Sequence, residues 1–152
     1  MKLEKYLHMN GDAKIPEHIL YPLYWDLEKL NVKLTKRGSR EIREPIEKIL
    51  AVNGWSNRIR VVPDYTISIS SMCDEVGLCL QFGNMARLYA DLLKLQLMYL
   101  NGTIKSAIYI LPMKKFALEL GVNVVNYERL THELQIFQKI IKVPMVVIGI
   151  QG

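Results

Sequence analysis

Cysteine and histidine are scarce in this sequence: two of one and three of the other. Cys73 and Cys79 are too few for a disulfide framework or a zinc site. Cys79 has no histidine near it in sequence, and thiolate activation requires a base or a positive neighbour. A small, half-buried structural cysteine is therefore expected there. His8 and His18 are too isolated to pair as ligands, and His132, between Arg129 and Glu133, reads as a surface residue. No apolar run reaches the ~18–20 residues of a membrane span. The N-terminal stretch Met1 to His8 alternates charged and apolar residues, unlike a signal peptide, so an intracellular, cytoplasmic protein is expected. Internal repeats and low-complexity tracts are missing too.

What is present is the composition of an ordinary folded domain: 50% apolar and 23% charged, with a net charge of +5. That excess is compatible with a polyanionic partner but does not by itself require one. A chain of 152 residues suits a single domain. Residues 1–38 are expected to form an N-terminal helix and basic loop, and 39–150 the core.

The apolar spacing predicts a helix from Pro16 to Leu30, which Pro22 is placed to kink or divide. A second helix carries Ile42, Ile46, Ile49 and Leu50 and stops at Asn53-Gly54. Alternation predicts a strand from Ile59 to Ser70 and another from Gly77 to Phe82, joined by a hairpin loop at 71–76. The third helix, Asn84 to Leu100, is apolar on most of its circumference, with Arg87, Asp91 and Lys94 on one stripe. A strand from Ile104 to Leu111, a helix from Met113 to Leu120, a helix from Tyr127 to Ile141 and an apolar strand from Val143 to Ile150 complete the order. A mixed sheet with a β-hairpin and helices on both faces accommodates it.

The most informative stretch is Leu78-Cys79-Leu80-Gln81-Phe82-Gly83-Asn84, which runs from a strand into a buried helix. It is followed by Asp91-Leu92, preceded by Asn53-Gly54-Trp55, and joined downstream by Tyr99 to Ile110 and Val143 to Ile150. From about Ser39 to Ile150 this ordered set resembles the BglII/BstYI group of type II restriction endonucleases, in the PD-(D/E)xK nuclease superfamily. The resemblance implies a restriction-endonuclease-like core and magnesium-dependent cleavage of duplex DNA by a homodimer. It also implies a site built from an Asp on the first hairpin strand and Glu-x-Gln on the second. Gln81 matches the family glutamine. Cys79 stands where the Glu belongs and Ser70 where the Asp belongs.

The alternation agrees. Leu78, Leu80 and Phe82 share one strand face, so Cys79 and Gln81 share the other. A fold about Cys73 or Asp74 sets Ser68 or Ser70 opposite Cys79. These groups are uncharged on a face expected to be polar, and a thiol is too soft to favour Mg²⁺, which takes hard oxygen ligands. No bound metal is therefore expected, with Mg²⁺ required only if the protein cuts. The substitutes are Asp64, roughly 13–20 Å along the strand from the point opposite Cys79, Asp74 and Glu75 in the turn, and Glu44 or Glu47 on the preceding helix.

Lys36, Arg37 and Arg40 in the basic run are candidate phosphate contacts, and so are Asn84 and Arg87 at a helix N-terminus. Three functions follow: a non-cleaving, DNA-binding homodimer that keeps the nuclease fold; an active nuclease using Asp64 with Glu47 or Glu75; or a structural or protein-binding module on the same scaffold.

Overall fold

The computed structural model describes residues 1–33 and 38–152. Lys36 and Arg37 lie outside the described residues. The elements are β1 (Lys2–His8), α1 (Gly11–Lys14), α2 (Glu17–Lys29), α3 (Ser39–Val52), β2 (Ile59–Arg60), β3 (Ser68–Ile69), β4 (Ser71–Cys73), β5 (Val76–Leu80), α4 (Ala86–Leu100), β6 (Ser106–Pro112), α5 (Lys114–Leu120), α6 (Tyr127–Ile136) and β7 (Met145–Gln151).

Among the described residues a five-stranded sheet has the order β1-β7-β6-β5-β4, and β2 with β3 forms a separate two-stranded ribbon. β5, β6 and β7 are parallel. The two edge strands run antiparallel to their neighbours. The parallel centre is apolar throughout because both its faces are covered. Leu78, Leu80, Ile108, Ile110, Val146 and Ile148 pack on one side with Leu23 and Leu27 of α2 and Ile42 and Ile46 of α3. Cys79, Tyr109, Met145 and Val147 pack on the other with Leu88, Leu92 and Leu95 of α4 and Leu130 and Leu134 of α6. The period of two along each strand thus feeds two separate cores. This is the mixed α/β architecture expected from the sequence.

Five expectations need correction. β1 was not anticipated; it pairs along its whole length with β7, from Lys2 opposite Gln151 to His8 opposite Met145. The single strand foreseen from Ile59 to Ser70 is two short strands around a loop that contains Pro63, which has no N–H for a ladder. The hairpin loop foreseen at 71–76 is instead mostly strand, with the turn at Asp74 and Glu75; Asp74 takes a positive φ of 49°. Pro22 sits inside a continuous α2 and does not divide it. The last helix stops at Ile136, five residues early, yet Ile141 beyond it is still buried.

Candidate functional site

The β4–β5 hairpin pairs Ser71 with Leu78, Met72 with Gly77 and Cys73 with Val76. Continuing that register one step opposes Ser70 to Cys79. The Ser70 hydroxyl accepts a hydrogen bond from the Leu80 N–H at 2.9 Å, tying the strands together just beyond the ladder. Of the two partners foreseen for Cys79, the register therefore selects Ser70.

Cys79 does share a face with Gln81, but that face is not open. Cys79 is 2% exposed and packed among Leu88, Leu92 and Tyr109. Burial, then the nearby Asp91 carboxylate, pushes its thiol well above the ordinary range, so it stays protonated. The expected half-buried cysteine is fully buried, because α4 lies across this side of the hairpin.

Gln81 is fixed by two bonds. Its Nε2 donates to Asp91 Oδ2 at 2.8 Å and its Oε1 accepts from the Gly83 N–H at 3.0 Å. Asp91 is 5% exposed. Its Oδ2 also accepts from the Tyr109 hydroxyl at 2.9 Å, and its Oδ1 pairs with Lys94 at 3.3 Å. Burial and Asp91 together raise the Tyr109 phenol well above its ordinary value, which keeps it a donor. One buried carboxylate thus organises an amide, a phenol and an ammonium.

Beside this network lies a cleft of about 160 Å³. Its cationic lining is Arg43 from α3, Arg58 just before β2, and Arg87 and Lys94 from α4; Ser68 and Ser70 supply hydroxyls. A second cleft of about 230 Å³ shares Arg43, Arg58, Ser70 and Leu80 with the first and adds Glu47 and Trp55. Trp55 is buried, and its indole N–H has no hydrogen-bond partner among the described residues. Arg43 is held by the Leu80 carbonyl at 3.0 Å, by Glu47 at 3.4 Å and by the Phe82 ring at 6.0 Å. Arg58 donates to the Ser68 hydroxyl at 3.2 Å.

The structure brings Ser70, Gln81 and Arg87 to the first cleft and Glu47 to the second. Asp64 is exposed in the loop between β2 and β3 and lines neither. Glu75, in the hairpin turn, pairs with Lys105 at 3.0 Å. Arg40 pairs with Glu44 at 2.8 Å on the exposed start of α3. Asn84 caps the chain entering α4 by accepting from the Ala86 N–H at 2.9 Å.

Sequence reasoning missed Arg43 and Arg58 as site residues; it used Lys94 only as part of a charged stripe, and Asp91 only in that stripe and in the Asp91-Leu92 pair of the family resemblance. The stripe was a usable signal: Arg87, Asp91 and Lys94 recur at helical spacing on an otherwise apolar helix, and it is the side of α4 that meets the cleft. Arg43 and Arg58 carry no comparable pattern.

The implied Mg²⁺ can be tested against this donor set. Among the described residues no group of three or more His, Cys, Asp or Glu side chains is placed to hold a metal. The oxygens at the cleft already accept from Arg43, Arg58, Gly83, Gln81, Tyr109 and Lys94. The residues present do not fit a hard divalent cation, which takes six oxygen ligands in near-octahedral geometry.

No curated protein sequence matches the chain. Among solved structures, it superposes on the restriction endonuclease BglII complexed with a DNA 16-mer with a TM-score of 0.87 at 17% identity, covering 98% of this chain and 76% of that one. Against free BglII the TM-score is 0.81 at 17% identity, covering 100% and 80%. The family model for restriction endonuclease BglII/BglIII matches residues 17–150, so the likeness takes in α2 as well as the core. The chain belongs to the BglII/BglIII restriction endonuclease family.

Proposed function

We propose that this protein binds duplex DNA as a homodimer, inside the cell, without cleaving it. The supporting observation is the cleft beside Gln81. Where a metal-dependent nuclease needs converging carboxylates, the first cleft presents Arg43, Arg58, Arg87 and Lys94 against a single acid, Asp91, whose oxygens are already engaged. Such a lining favours phosphate and disfavours a divalent cation. Ser70 and Cys79 are then the positions at which the catalytic acids are replaced. Asn84 and Arg87 at the start of α4 and Arg40 on α3 extend the phosphate-binding surface; Lys36 and Arg37, outside the described residues, are further phosphate contacts proposed from the sequence alone.

A second copy is the partner for α4. Tyr89, Leu93, Leu97 and Leu100 recur along it and are 38–70% exposed, beside the exposed Ile140. Tyr89, Leu93 and Ile140 border an apolar groove of about 250 Å³.

The active-nuclease alternative keeps Glu47, which does reach the adjoining cleft. Its partners Asp64 and Glu75 line neither cleft, so no second acid joins it there.

The test has two arms. Anisotropy of a labelled duplex in EDTA reads binding, and a long duplex of diverse sequence incubated with Mg²⁺ or Mn²⁺ reads cleavage. Salt-sensitive binding with intact DNA is expected. Cleavage in the second arm restores the active-nuclease reading. No salt-sensitive binding at all leaves the scaffold reading, in which the fold serves a structural or protein-binding role.

A further inference from the structure

We infer that the Arg43 guanidinium, assisted by Arg58, is a built-in cation in this cleft that replaces a divalent metal toward a DNA phosphodiester. The inference rests on the DNA-binding reading above and deepens it by naming the groups that meet the phosphate and the ion they make unnecessary.

Placement comes first. Leu80 ends β5 directly before Gln81 and lines the cleft, and its carbonyl is a hard oxygen of the kind a divalent ion would use. Arg43 Nη2 donates to it at 3.0 Å. Glu47 and the Phe82 ring fix the same guanidinium from two other directions, and the side chain is 28% exposed. A delocalised charge held on three sides and still open to solvent is pre-organised, so little rotamer freedom is lost when an anion arrives.

Charge comes second. Lys94 is paired with Asp91, but Arg58 donates to a neutral serine and Arg43 shares only the half-exposed Glu47. A guanidinium has five N–H donors in a planar fork that matches phosphate oxygens. Both arginines retain donors for a ligand, and the Ser70 hydroxyl lies in the same cleft. A doubly charged ion entering here would meet guanidinium charge at close range, without a free carboxylate to offset it.

The two arginines should thus supply phosphate affinity constitutively, and Mg²⁺ should act on the complex only as a competing salt. The experiment is duplex binding by anisotropy across a salt series, at matched ionic strength with EDTA or Mg²⁺. It compares the wild type, Arg43→Gln, Arg43→Lys, Arg58→Gln and, as a control on α5 outside both clefts, Lys115→Gln. The wild type should bind no more tightly with Mg²⁺ than with EDTA. Arg43→Gln should weaken binding roughly fivefold or more and flatten the slope of log affinity against log salt by about 0.9, the share of one phosphate contact. Arg43→Lys should recover part of the loss, having the charge but not the fork, and Lys115→Gln should behave as wild type. Melting curves check that each variant folds; should Arg43→Gln fail to, the exposed Arg58→Gln carries the comparison. Wild-type affinity and slope in both glutamine variants would overturn the inference and leave the DNA-binding reading standing. Tighter wild-type binding with Mg²⁺ would overturn it as well. A wild type that binds no duplex would remove the reading on which it rests.

Discussion

At the scale of single residues, two buried polar groups give testable consequences. Asp91 satisfies Gln81, Tyr109 and Lys94 at once. Truncation leaves a buried amide and a buried hydroxyl without their acceptor, each costing on the order of 1–3 kcal/mol. Asp91→Ala should therefore lower the unfolding free energy by roughly 3 kcal/mol in urea titration at pH 7, whether or not DNA is present. His8 is the second. It is 2% exposed and its Nε2 donates to the Ile141 carbonyl at 2.6 Å. Burial holds its pKa below the ordinary 6.5, the carbonyl bond opposes that shift, and Lys142 adds to it. The folded imidazole therefore takes up a proton less readily than the unfolded chain as pH falls. Stability from this site is complete above that pH and declines below it, by at most about 1.4 kcal/mol per unit. His8→Gln keeps a donor for Ile141 and removes the titration. The wild type should lose more stability than the variant between pH 7 and 5, and equal losses would contradict the assignment.

The residue-scale pattern was half legible in the sequence. Alternation correctly put Cys79 and Gln81 on one face, because the period of two is local geometry. It could not show that α4 covers that face, which is a tertiary fact, so a face expected to be polar, with a half-buried Cys79, is closed over that residue. Arg43 escaped notice for a related reason. Its neighbours Ile42 and Ile46 mark the buried stripe of α3, whereas its own role depends on a carbonyl 37 residues away in sequence.

At the scale of elements, the long apolar-periodic segments were readable and the short or edge strands were not. The central strands β6 and β7 announce themselves as largely apolar runs buried on both sides. β1 has exposed Lys2, Glu4 and Lys5 and exists because β7 offers it an edge, so its own sequence carries little signal. Pro63 was the available warning that Ile59 to Ser70 is not one strand. Helix α4 shows how one element serves three neighbours. Leu88, Leu92 and Leu95 fill the core, Arg87, Asp91 and Lys94 meet the cleft, and Tyr89, Leu93 and Leu97 stay exposed. On the opposite side of the sheet from α3, Tyr127 at the start of α6 lies against β7 at Gly149, where an added Cβ would come within 2.6 Å of the ring. Gly149→Ala should cost about 1–3 kcal/mol by overpacking, read as a lower melting temperature. A neutral result would mean α6 can slide away from β7.

At the scale of the whole molecule, the fold resembles that of an enzyme, while the cleft beside Gln81 has the charge of a phosphate-binding surface. The exposed apolar stripe of α4 belongs to this scale as well, since water is a poor neighbour for Leu93 and Leu100, which are 64% and 70% exposed. Light scattering at tens of micromolar should report a dimer, and Leu93→Glu should shift it to monomer without lowering the melting temperature of the subunit. A monomeric wild type would remove the homodimer from the proposal and leave the cleft argument untouched.

The central claim is that this cleft holds phosphate without holding a divalent metal. Its most direct test is a titration of Mn²⁺ into the protein with bound duplex, followed by electron paramagnetic resonance and compared with duplex alone. The same free-ion signal is expected in both, with no stoichiometric uptake by the protein. Uptake of one Mn²⁺ per chain that Glu47→Gln or Asp91→Asn abolishes would contradict it, and would show that acids at these clefts assemble a metal site around the DNA.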